Sequence, residues 1–136
     1  MGIAKGKHDM ILVDSNILID YYRDRNSELA KKIDSMQIGV CGVVKSEVLH
    51  GAKNYDEVDN ILTSFNTFDL LHTDEYDFEG VGLILKNLRE HGVTVPLTDV
   101  MIAFCAMKYD VPVWTQDGHF RLIQGLYPEL GLFNLC

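Results

Sequence analysis

Apolar residues along the chain fall into short unbroken runs, separated by stretches whose apolar positions recur at helical spacing. The run at 10–13 is wholly apolar and stops at Asp14, which predicts a short buried strand. Residues 16–22 then read as helix, and Asn26 or Ser27 caps a second helix reaching to about Met36. A strand at 37–41 leads into a helix at 43–52 and another from Asn54 or Tyr55 to Phe65, acidic near its start. Residues 69–71 form a very short strand and 74–90 a long amphipathic helix, with Gly92 as its stop. Thr98 is expected to cap a helix through Tyr109. A strand at 111–115, a short helix at 119–124 and an edge strand at 132–135 complete the pattern. Strands this apolar, alternating with helices, predict an α/β domain. Three α/β/α layers are expected, with a mainly parallel central sheet flanked by helices and right-handed crossovers.

Length and composition narrow this picture. A chain of 136 residues, 47% hydrophobic and with three prolines, can bury one core and is short for two. One domain over residues 1–136 is therefore expected, with 1–7 as a flexible start. The longest apolar run, 100–107, falls far short of the ~20 residues that span a bilayer, so no membrane partner is expected. No signal-peptide pattern precedes the first apolar run. Cys41, Cys105 and Cys136 form no CxxC pair or zinc spacing; free thiols in a reducing cytoplasm are expected. Twelve basic residues against 20 acidic leave a formal charge of -8, which argues against a broad basic nucleic-acid clamp. A local basic strip, or acids gathered around a cation, remains compatible.

Four carboxylates stand out. In a parallel sheet, ligands bind beyond the carboxyl ends of the strands. Asp14 ends the first strand and Asp117 lies two residues beyond the fourth, at 111–115, although either alone suits an ordinary turn. On the 43–52 helix, Val43, Val44, Val48 and Ala52 fall at roughly 0°, 100°, 140° and 180°. Glu47 falls at about 40°, inside that apolar arc, where a carboxylate is costly unless paired, hydrogen-bonded or metal-bound. A glutamate at the stripe's edge, reaching water or an arginine, is the competing reading. Asp99 opens a helix that is apolar on every side, where it either complements the helix dipole or faces the same crevice. Four such acids around one crevice repel one another, and a hard divalent cation is the usual remedy.

The segments 11–20 (ILVDSNILID) and 46–52 (SEVLHGA) resemble the first two motifs of PIN-domain ribonucleases. Residues 91–99 (HGVTVPLTD) leading into Ile102 and Ala103, and 115–120 (TQDGHF), resemble the other two, in order and spacing. An undecorated domain of this length looks most like a VapC-type toxin of a toxin–antitoxin pair. The resemblance implies a PIN-like fold and an acidic pocket holding Mg²⁺, with Mn²⁺ able to substitute. It implies endoribonuclease activity on RNA phosphodiester bonds, a small antitoxin partner and a homodimer. Carried over by position, Asp14, Glu47, Asp99 and Asp117 are the catalytic, metal-holding carboxylates. Ser15, Asn16 and Thr115 would support the pocket. Arg23, Lys45 and Arg121, with Arg25 and Lys53 nearby, are candidate phosphate contacts. Where many relatives carry a further acid, this chain has His119, read as a surface or rim residue; the second metal position is correspondingly open.

Two other readings compete. A Mg²⁺-dependent phosphohydrolase of another acidic-pocket class also holds its ion at strand ends. The Asp-x-Asp start of the haloacid-dehalogenase type is absent, since Ser15 and Asn16 follow Asp14. A non-catalytic PIN-like binding module would be expected to have lost pocket acids, and all four are present. The acidic run from Asp74 to Glu79 lacks EF-hand spacing and reads as the N-terminal face of a helix.

Overall fold

The structure, a computed structural model, describes residues 9–133. The expected flexible start at 1–7, Cys136 and the end of the 132–135 tail lie outside the described residues. Strands are β1 (Met10–Val13), β2 (Gln37–Val40), β3 (Asp69–Leu70) and β4 (Val113–Trp114). Helices are α1 (Ser15–Arg23), α2 (Glu28–Asp34), α3 (Gly42–His50), α4 (Tyr55–Phe65), α5 (Glu75–Glu90), α6 (Leu97–Tyr109) and α7 (His119–Leu126).

All strand pairs are parallel, in the order β3-β2-β1-β4. Every residue of β1 is buried, which requires cover on both faces of the sheet and accounts for its unbroken apolar sequence. From β1 the chain steps through β2 to β3 on one side, then returns to place β4 on the other. The strand order therefore reverses between β1 and β4, and the crevice beyond their carboxyl ends is where such sheets bind ligands.

Local signals fix most helix ends. The Ser27 hydroxyl accepts from Ala30 N at 3.0 Å, and Asp74 and Asp77 form a reciprocal capping box at the start of α5. At its end, Gly92 takes φ +79°; its N–H reaches Arg89 O at 3.0 Å and the Val93 N–H reaches Leu88 O at 2.8 Å, closing a Schellman motif.

Two expectations are corrected. Thr98 does not cap α6: the helix begins at Leu97 with Pro96 as N-cap and no side-chain cap bond. The Pro96 carbonyl accepts from Asp99 N and Val100 N, so the backbone turns two residues early and Thr98 sits inside the first turn. The last strand is two residues, not five. The Val111 N–H is still bonded to Ala106 O at the exit of α6, Pro112 has no N–H to donate, and Thr115 turns its hydroxyl to Asp14. The tail runs parallel beside β4 as a single bridge at Leu132, with Phe133 N donating to Val113 O at 2.7 Å.

Candidate metal centre

Asp14 stands where β1 ends and caps α1: Oδ1 accepts the Ser15 N–H at 2.7 Å. Its Oδ2 accepts the Thr115 hydroxyl at 2.7 Å from just beyond β4. The same hydroxyl oxygen accepts the Asp117 N–H at 2.9 Å, so one threonine ties the first carboxylate to the last. Asp14 is only 4% exposed. Burial pushes its carboxyl above the ordinary range; the Thr115 and Ser15 hydrogen bonds oppose that rise, and the charge of Asp117 adds to it.

Asp99, in the first turn of α6, is 7% exposed. Burial raises its carboxyl, the hydrogen bond with His119 lowers it, and the charges of Asp117 and Asp14 raise it again. Glu47 lies half-buried on α3, beside the buried Val44 and Val48 rather than beneath them. Burial raises it first, the Ser15 side chain opposes, and Asp14 adds its repulsion. Asp14 thus feels the charge of Asp117, Glu47 that of Asp14, and Asp99 those of Asp117 and Asp14. Among the described residues none of them pairs with a lysine or arginine.

The supporting side chains expected from sequence lie in the same place. Asn16 Oδ1 accepts the Gln116 N–H at 3.4 Å, holding the 115–117 turn against α1. Arg121 lines a cleft of about 320 Å³ together with Thr115 and Asp117. The other basic candidates have partners elsewhere. Arg23 pairs with Asp20, the Lys45 ammonium lies 6.0 Å from the Phe65 ring centre, and Arg25 lies over the Tyr21 ring at 4.3 Å. Arg23 and Lys53 line a separate hollow beside Tyr22 and Val48.

Sequence reasoning left two residues outside the site. His119 is 41% exposed at the rim, yet its Nδ1 is 2.8 Å from Asp99 Oδ2 and 3.1 Å from Asp117 Oδ1. The Asp99 hydrogen bond is the main cause that raises its imidazole above the usual value. Gln116 donates from Nε2 to Asp20 Oδ2 at 3.2 Å; nothing in its sequence setting signals this.

The donor set fits a divalent cation. Ligating atoms of Asp99, Asp117 and His119 lie within 4.8 Å of one another, and the acids are short of positive charge. A parallel α/β domain with carboxylates gathered where the strand order reverses defines an acidic-pocket, metal-site class. Residues 11–126 match the PIN domain family, and the chain belongs to it. The chain is 27% identical over 124 residues to Ribonuclease VapC1 of Methanocaldococcus jannaschii, covering 90% of this chain and 84% of that protein. Its fold is similar to the DNA-bound VapBC of Salmonella typhimurium (TM-score 0.78, 19% identity, 93% of this chain and 98% of that one). It is also similar to VapBC2 of Rickettsia felis bound to a promoter DNA fragment (TM-score 0.77, 16% identity, 93% and 99%). No helix among the described residues is long and apolar enough to cross a membrane.

Proposed function

We propose that this chain is a metal-dependent endoribonuclease that hydrolyses RNA phosphodiester bonds, acting as the toxin of a toxin–antitoxin pair. The observation that carries the reading is the cluster of Asp99, Asp117 and His119 ligand atoms within 4.8 Å of one another, tied through Thr115 to the buried Asp14 and, among the described residues, without a lysine or arginine partner. The likeness to a protein named as a ribonuclease, and to structures described as VapBC complexes, supports it.

The four carboxylates would hold a divalent cation, Mg²⁺ or Mn²⁺. When bound, such an ion supplies Lewis acidity, neutralising charge on the attacked phosphate and making water a stronger nucleophile. The chain's own part is positional. Asp14 is held by two hydrogen bonds and cannot swing away, and Thr115 sets the distance between Asp14 and the Asp117 turn. Arg121, in the cleft beside Asp117, is the basic side chain best placed to meet a substrate phosphate. The partner is a small antitoxin that presents a basic side chain to the pocket, answering the -8 charge of this chain. A homodimer and a cytoplasmic location belong to the same reading.

Incubation of the purified chain with RNA tests the activity. Cleavage in Mg²⁺ or Mn²⁺ that stops on addition of EDTA is the expected result. Cleavage undiminished in excess EDTA overturns the metal-dependent mechanism, and phosphate release from a small ester without RNA cleavage favours the phosphohydrolase class.

A further inference from the structure

The departure at His119 reaches beyond the rim of the pocket. Its ring nitrogen lies 2.8 Å from Asp99 Oδ2 and 3.1 Å from Asp117 Oδ1. Nδ1 carries either one proton or one lone pair, so it can make one hydrogen bond, to Asp99 Oδ2, and its approach to Asp117 Oδ1 is not a second one. Two ligands at right angles around an ion, each at about 2.1 Å, stand about 3 Å apart, which both separations match. The ring is also anchored at its base: the His119 N–H donates to Asp117 Oδ1 at 2.9 Å, at the first residue of α7. Three donor atoms from three side chains thus already sit at ligand spacing, while the ring's 41% exposure leaves the outer side open to solvent and substrate.

We propose that His119 is itself a ligand of the bound ion, making the centre a mixed nitrogen–oxygen site that selects a first-row transition ion such as Mn²⁺ over Mg²⁺. This rests on the reading of the pocket as a metal centre. Mg²⁺ is a hard ion that favours oxygen donors and sheds water reluctantly; imidazole suits the later transition ions best, and Mn²⁺, at the weak end of that series, shares the oxygen preference of Mg²⁺ but accepts a nitrogen donor more readily. A carboxylate in place of His119 would give an all-oxygen set without that preference. The residue at this one position then decides which metal the domain loads.

The experiment uses the full chain with Mn²⁺ alone as probe. Electron spin echo spectroscopy reads a directly bound imidazole nitrogen through its coupling to the Mn²⁺ spin, and calorimetric titration gives Mn²⁺ and Mg²⁺ affinities. The parent is expected to show the nitrogen coupling, and His119→Gln to lose it. In His119→Asp the Mn²⁺-to-Mg²⁺ affinity ratio should fall severalfold, and a ratio that holds or rises overturns the selectivity. Mn²⁺ that binds with no nitrogen coupling, or with a coupling that persists in His119→Gln, overturns the proposal and leaves the acidic metal centre standing. A chain that binds neither ion overturns both.

Discussion

Thr115 shows how much of the centre hangs on one hydroxyl. It donates to Asp14 Oδ2 and accepts from the Asp117 N–H, so Thr115→Val keeps the shape while stranding a buried carboxylate oxygen and a backbone donor. The expected loss is about 1–3 kcal/mol in denaturant unfolding, with Thr115→Ser recovering most of it. Asp110 offers the opposite case. It ends α6 with φ +56°, a conformation that glycine adopts without a Cβ penalty, so Asp110→Gly should raise stability by about 0.5–1 kcal/mol in the same assay. The burial of Asp14 and Asp99 was readable from sequence, because a carboxylate that ends an apolar run or opens an all-apolar helix has few inexpensive explanations. The contact between His119 and Asp99 was not. It joins residues 20 positions apart and exists only because α7 packs on α6.

At the scale of elements, the alternation of apolar runs and amphipathic stretches was enough to order every strand and helix. Boundaries failed where a backbone group, not a side-chain pattern, decided them, as at Pro96 and Pro112. Packing between helices left no trace in the pattern either. Gly80 on α5 faces Phe104 on α6, and a Cβ placed there would lie 2.5 Å from ring atom Cε2. Alanine gains up to about 1 kcal/mol in helix propensity, but overpacking costs about 1–3 kcal/mol, so Gly80→Ala should lower the thermal midpoint. Phe104→Leu in the same chain should restore part of it. The same helix pair is bridged by Lys108 Nζ and Asp77 Oδ2 at 2.6 Å. The Lys108 hydrogen bond holds Asp77 below the ordinary carboxylate range, so this support is full above that range and is lost as pH falls through the lowered value. Asp77→Asn should therefore lower the midpoint at neutral pH, with the gap closing in acid, and Lys108→Met, which leaves the capping box intact, should reproduce part of that pH-dependent loss; a Lys108→Met midpoint equal to the parent's at every pH would assign the loss to the capping box.

For the whole molecule, a small acidic domain with a pocket short of cations is an incomplete electrostatic object. On the proposed reading, a metal, RNA phosphates near Arg121 and a basic antitoxin side chain would each answer a different part of it. If the chain is a toxin, its expression should arrest growth, and co-expression of the small reading frame beside it should relieve the arrest. A harmless chain would reopen the binding-module reading. The central claim is that the buried acids exist for a metal and not for the fold. Without an ion, Glu47 and Asp99 carry desolvation as strain, with repulsion from Asp14 on both and from Asp117 on Asp99, which their amides relieve. The most direct measurement is the thermal midpoint of the parent, Glu47→Gln and Asp99→Asn, with and without Mg²⁺ or Mn²⁺, read beside RNA cleavage. The account predicts metal-free variants at least as stable as the parent, no metal-induced rise in midpoint and no cleavage. Metal-free variants that are less stable than the parent yet still cleave RNA would contradict it.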